Sequence, residues 1–105
     1  MSTLEPLNGK QKRYLKALGH PLSAVIQIGK EGITPSLIAA TNTELLHHEL
    51  IKVKIGSNSS VEKNETAQTL VAEIEGCHLV QIIGKTILLY KENPKRKKEE
   101  RIRLP

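Results

Sequence analysis

Thr34-Pro35 constrains this chain more tightly than any other pair of residues. A threonine oxygen can accept from the first turn of a helix, and a proline in the next position loses nothing by lacking an N–H, so the pair marks a helix start. Ile33 before the cap is placed to pack on Ile38 as a hydrophobic staple. Upstream, Val25-Ile26-Gln27-Ile28 is β-branched and bounded by glycine, which reads as a short strand. Between strand and helix stands Gly29-Lys30-Glu31-Gly32. Glycine at both ends lets the backbone turn tightly and lets another backbone come close. Loop N–H groups and the positive end of a helix suit a phosphate, and Lys30 adds a cation. The same residues also fit an ordinary strand-to-helix turn, because G-x-x-G alone is a weak signal.

The rest of the chain follows the same alternation. Asn8 caps a first helix, with Gln11 at the capping-box position, and Gly19 stands at the C′ position before Pro21. Tyr14, Leu15 and Leu18 share one arc of this helix, while Lys10, Lys12, Arg13 and Lys16 spread over the other side. Those four cations fit either a polyanion contact or a solvated face. Pro35 to Glu49 forms a second helix with Leu37, Ile38, Thr41, Leu45 and His48 on one side. Leu50 to Ile55 alternates: Ile51, Val53 and Ile55 point one way, Lys52 and Lys54 the other. Ser59 with Glu62 predicts a capping box for a third helix, which carries Ala67, Leu70, Val71 and Ile74 and ends at Gly76. His78 to Ile83 and Thr86 to Lys91 are two strands joined through Gly84-Lys85, a pair suited to a type II′ turn. The expected fold is therefore α/β: a small two-layer, mixed four-stranded sheet in the order α-β-α-β-α-β-β, with helices over one face.

Length and charge narrow the function. A chain of 105 residues supports one core. That core is aliphatic, since the only aromatic residues are Tyr14 and Tyr90. Residues 91–105 hold seven cations and three acids, leaving a net charge of only +1 for residues 1–90. The expected organisation is a domain over residues 1–92 followed by a basic, flexible tail over 93–105. A single cysteine, Cys77, excludes an intramolecular disulfide and reads as a small core residue. Met1 to Leu7 lacks the apolar stretch of a secretory leader, and no run approaches the ~20 residues of a membrane span, so a soluble cytoplasmic protein is expected. His20, His47, His48 and His78 show no metal-ligand spacing, and neither a nucleophile elbow nor a P-loop is present. No enzyme, metal or cofactor is expected. Cations at separate points, namely the first helix, Lys30, Lys52, Lys54, Lys85 and the tail, track a polyanion backbone better than a small ligand. Almost no rings are available for base stacking, which favours structured RNA read through its backbone.

Four blocks in this order also resemble the YhbY family, the stand-alone bacterial CRM (chloroplast RNA splicing and ribosome maturation) domains. They are Leu7 to Arg13, Gln27 to Pro35, His48 to Lys54 and Leu79 to Lys85. The resemblance implies a fold similar to the C-terminal domain of bacterial translation initiation factor three. It also implies association with rRNA in precursors of the large ribosomal subunit, with Gly29, Lys30, Glu31 and Gly32 as the RNA-contacting loop. Glu31 sets a negative charge beside the supposed phosphate seat. The tail lies outside the shared pattern. A protein–protein adaptor docking an acidic partner is the alternative that the residues leave open, and a DNA-binding protein is a third, without helix-turn-helix spacing to support it.

Overall fold

The computed structural model describes residues 6–105, so most of the Met1 to Leu7 stretch lies outside the described residues. The order is α1 (Gly9–Gly19), β1 (Ala24–Ile28), α2 (Pro35–His48), β2 (Leu50–Ile55), α3 (Lys63–Glu73), β3 (Cys77–Ile83) and β4 (Thr86–Lys91). The four strands form one mixed sheet in the order β1-β2-β4-β3. β1 and β2 are parallel, and β4 runs antiparallel between β2 and β3. The mixed four-stranded sheet and the element order are those the sequence predicts.

Side-chain alternation divides the sheet into two faces. Ile51, Val53, Ile87 and Leu89 point into a core closed by Leu45 of α2 and Ala67 and Leu70 of α3. Leu50, Leu88, Tyr90 and Val80 point the other way, onto Leu15 of α1. The expectation of helices over one face holds for α2 and α3 and is corrected for α1, which crosses the opposite face. The Lys52 and Lys54 side of β2 reads as polar, but β4 beside it and β3 beyond β4 supply enough apolar surface there to bury a helix.

Local caps follow the sequence with two exceptions. Asn8 Oδ1 accepts from the Gln11 N–H at 2.8 Å and the Asn8 N–H donates to Gln11 Oε1 at 3.1 Å, while Thr34 Oγ1 accepts from the Leu37 N–H at 3.1 Å. For α3 it is Glu62, not Ser59, that caps, accepting from the N–H groups of Asn64 and Glu65. Those bonds hold its carboxyl below the usual range. For α1, Gly19 is not a left-handed terminator: the helix runs on to an αR cap at His20. Glycine is needed there because a Cβ would stand 2.9 Å from both Leu88 methyls. The buried arc of α1 is accordingly Leu15 and Gly19, with Tyr14 and Leu18 about 40% exposed. His48, expected on the inner side of α2, is exposed and pairs with Glu44 at 3.4 Å.

The largest departure concerns residues 93–105, expected as a flexible tail. They lie on the globule, and the anchor is Glu49, the C-cap of α2, wholly buried and the only non-glycine residue at positive φ (+64°) among the described residues. Its carboxylate accepts from the Asn93 N–H at 2.8 Å, Arg96 Nη1 at 2.9 Å and the Ile102 N–H at 2.9 Å. Asn93 Nδ2 also donates to the Leu46 carbonyl at 2.7 Å. Ile102 and Leu104 then pack, with Leu7, against the Leu15, Leu50, Leu88 and Tyr90 cluster. A basic composition suggested disorder because few tail residues are apolar. Two well-placed apolar residues and one buried acceptor are enough to dock it.

Truncation after Glu92 should therefore lower the melting temperature by about 10 °C or more, as an uncovered cluster and a carboxylate without donors would require. A shift below about 2 °C would place the tail off the globule. Arg96→Ala should cost about 2–3 kcal/mol in urea unfolding, because the buried carboxylate keeps its two backbone donors and loses its charged one.

Candidate nucleic-acid interface

Parallel pairing of β1 and β2 brings the loop after β1 and the end of β2 to the same edge of the molecule. The Gly32 N–H donates to the Gly29 carbonyl at 3.1 Å, closing a four-residue turn over Lys30 and Glu31. Below it, the Gly56 N–H donates to the Ile28 carbonyl at 2.8 Å. The hairpin tip joins this end too, since Thr86 lies opposite Lys54 and the Ile55 N–H donates to the Lys85 carbonyl at 2.8 Å. Gly29 to Gly32, Lys54 and Lys85 are thus gathered at one end of the sheet, although they lie far apart in sequence.

The two loop glycines differ in what they do for the fold. Gly32 sits at φ +71°, and a Cβ there would also come within 3.0 Å of Val61 Cγ1. Gly29 has no such requirement: its φ lies outside the left-handed region and a Cβ would meet nothing within 4 Å. Lys30 and Glu31 are exposed, and neither side chain makes a hydrogen bond or ion pair among the described residues. The backbone N–H groups of Lys30, Glu31 and Ser36 likewise find no acceptor among those residues. Together they leave an array of donors at the positive end of α2, beside one lysine and one glutamate.

The remaining cations fall into two groups. Lys54 and Lys85 are exposed at the loop end. Lys52 is half-buried, and its Nζ donates to the His20 carbonyl at 3.2 Å and the Leu22 carbonyl at 3.0 Å. It closes the C-terminal end of α1, where carbonyls lack helical partners. Lys16 borders a narrow groove between α1 and the sheet with Gly19, Lys52, Gln81 and Thr86. Lys10, Lys12 and Arg13 are exposed on the other half of α1. Lys12 is near enough to His78 to help keep that imidazole's proton affinity below its ordinary value, burial being the larger cause and Glu92 opposing both.

Titratable groups with shifted affinities lie away from the loop. Burial pushes the Cys77 thiol up to about 12, and burial with Glu49 and Glu92 nearby raises the Tyr90 hydroxyl to about 12. Cys77 Sγ has a single weak contact, to the His78 carbonyl at 4.0 Å. Among the described residues no cluster of three His, Cys, Asp or Glu could hold a metal ion, and no helix is long and apolar enough to cross a membrane. Sequence reading missed Glu49 and Arg96. The signal was there in Glu49, a carboxylate at a helix C-terminus, where the dipole favours cations and the cap favours glycine or asparagine.

The fold is a small α/β domain that presents unpaired backbone donors and lysines together at one end of its sheet. Over residues 7–91 the sequence matches the CRS1 / YhbY (CRM) domain, and the chain belongs to that family. Among its relatives, "Probable RNA-binding protein YqeI" of Bacillus subtilis is 41% identical over 99 residues, covering 94% of this chain and 99% of the relative. An "RNA-binding protein" of Haemophilus influenzae is 36% identical over 99 residues, covering 94% and 95%. The solution structure of SAV1595 from Staphylococcus aureus superposes with a TM-score of 0.74 at 42% identity, covering 94% of this chain and 99% of that one.

Gly29→Ala should leave stability within about 0.5 kcal/mol of the parent, whereas Gly32→Ala should cost about 1 kcal/mol or more, both read from thermal melts. Cys77 should resist a thiol reagent at pH 8 in the folded protein and react fully in denaturant. Rapid native labelling would mean that the strand start around Cys77 opens readily.

Proposed function

We propose that this protein binds structured RNA through its sugar–phosphate backbone, without catalysing a reaction on it. The contact is made by Gly29, Lys30 and Gly32, with Lys54 and Lys85 beside them and Lys10, Lys12, Arg13 and Lys16 extending it along α1. The observation that carries this reading is Gly29: the fold would accept a side chain there, and a glycine leaves the loop open to close approach by another backbone. Free N–H donors at the start of α2 suit phosphate oxygens. Family membership and the names of the relatives support RNA as the partner. Following the YhbY resemblance, the target is rRNA in precursors of the large ribosomal subunit, met in the cytoplasm. Lys52 belongs to this surface only secondarily, because its amino group already serves two carbonyls. Glu31 faces solvent in the same turn and tempers the loop's attraction for phosphate.

Binding to a structured RNA should be weakened by Lys30→Ala and by Gly29→Ala, and strengthened non-specifically by Glu31→Lys. Replacing Lys12, Arg13 and Lys16 by Ala should flatten the log–log salt dependence by roughly 0.7–0.9 for each phosphate that is no longer neutralised. Filter binding across a salt series measures both. Unchanged affinity in all three loop variants at low salt would leave Gly29 to Gly32 as a turn only. Sedimentation of a cell extract tests the target, with the protein expected on precursors of the large subunit.

A further inference from the structure

Docking of residues 93–105 rearranges the cations of this protein into two surfaces. Ile102 and Leu104 share a cluster with Leu15 of α1, and Gln11 Nε2 donates to the Pro105 carbonyl at 3.4 Å, so the end of the tail lies alongside the start of α1. Arg96 and Arg101 are taken up by Glu49 and Glu92. Lys95, Lys97, Lys98 and Arg103 are left exposed, without ion pairs among the described residues. Of these, Lys98 and Arg103 share a groove with Gln11 of α1, whose first half carries Lys10, Lys12 and Arg13 and no acid, while Glu99 and Glu100 are exposed among the tail cations. Lys98, Arg101 and Arg103 also line the groove that the tail makes with His78 and Tyr90, and there the Arg101 Nε–H is buried without an acceptor.

We infer that the docked tail and the first half of α1 form one fixed basic surface that seats a second stretch of RNA backbone. This inference rests on the reading of the protein as an RNA-binding domain and adds a site to it. The surface meets the sheet where β3 begins and β4 ends, at Tyr90 opposite His78, whereas the glycine loop lies at the other end of the same strands. A strand of six residues spans about 20 Å, roughly six phosphates of one nucleic-acid strand. One RNA segment can therefore touch both ends. Glu49 is the positioning residue. Its residue type is unfavourable at φ +64°, where glycine would be relaxed, and what the carboxylate secures is the placement of the tail. A segment already ordered before binding loses no conformational freedom on meeting RNA, unlike a disordered basic arm.

Two variants of the full chain separate a fixed surface from a loose arm, with a bulged RNA stem-loop as probe. Lys97→Ala with Lys98→Ala and Arg103→Ala removes charge and should flatten the salt slope by about 2, at roughly 0.7 for each of three phosphates. Ile102→Ser with Leu104→Ser keeps every charge but frees the tail, and should weaken binding about tenfold. Arg96→Gln loosens the same segment by another route and should follow it in direction, with circular dichroism confirming the fold of each. Wild-type affinity in the untethered variants, or an unchanged slope in the charge variant, overturns the fixed surface. Lys30→Ala, Gly29→Ala and Glu31→Lys are measured alongside: tail effects with no effect in any of these three refute the loop reading and retain this surface. The reverse pattern refutes this surface alone. A parent chain that binds no RNA overturns both.

Discussion

A single buried carboxylate organises this molecule. Glu49 ends α2 by a backbone bond to Leu45 at 2.7 Å, and its carbonyl receives the Lys91 N–H at 2.8 Å, so the residue links a helix end to the last residue of β4. Its side chain then receives three donors from a segment more than forty residues away. An isolated carboxylate at zero exposure would be prohibitively costly, and it is tolerated here because a guanidinium and two backbone N–H groups surround it. The left-handed backbone adds a further cost of about 1–2 kcal/mol that glycine would avoid. Glycine would carry no acceptor. The conflict between backbone preference and side-chain need is resolved in favour of the side chain.

That choice accounts for how the second face of the sheet is covered. α1 is one short helix with a single large buried residue, Leu15, and a glycine that lets it settle onto Leu88. It covers only part of the apolar surface of β3 and β4. Ile102 and Leu104 cover more, and Lys52 holds the far end of α1 through two carbonyls. The face opposite α2 and α3 is thus assembled from pieces that do not adjoin in sequence, whereas the loop end is assembled from strand pairing. Different physical causes build the two regions of positive charge.

Legibility in the sequence divides along the same line. Strand alternation at Ile51, Val53 and Ile55, the Thr34-Pro35 start and the Asn8 to Gln11 box are local patterns, and the fold class follows from them. The loop residues were legible as a loop, but the contrast between Gly29 and Gly32 was not, since identical residues differ only through φ and the position of Val61. Gathering Lys54 and Lys85 at that loop depends on strand order, which periodicity does not encode. The tail was misjudged because composition averages over residues, while docking depends on which few meet Leu88, Tyr90 and Glu49. The place of α1 was hidden because the apolar character of its partner face is split between strands.

The position of β4 has a consequence for how this chain acquires its structure. β4 is the last strand of the domain in sequence, yet it lies between β2 and β3 in the sheet. Until it pairs, β2 has a partner on one side only and β3 has none, so the early elements cannot complete a core as they are synthesised. Closure waits for contacts between residues distant in sequence, such as Leu50 with Tyr90, which favours one late cooperative step over stepwise assembly. A nascent chain of this kind exposes unpaired strand edges for most of its synthesis, and the lysines of β2 are placed where they discourage those edges from pairing with another chain.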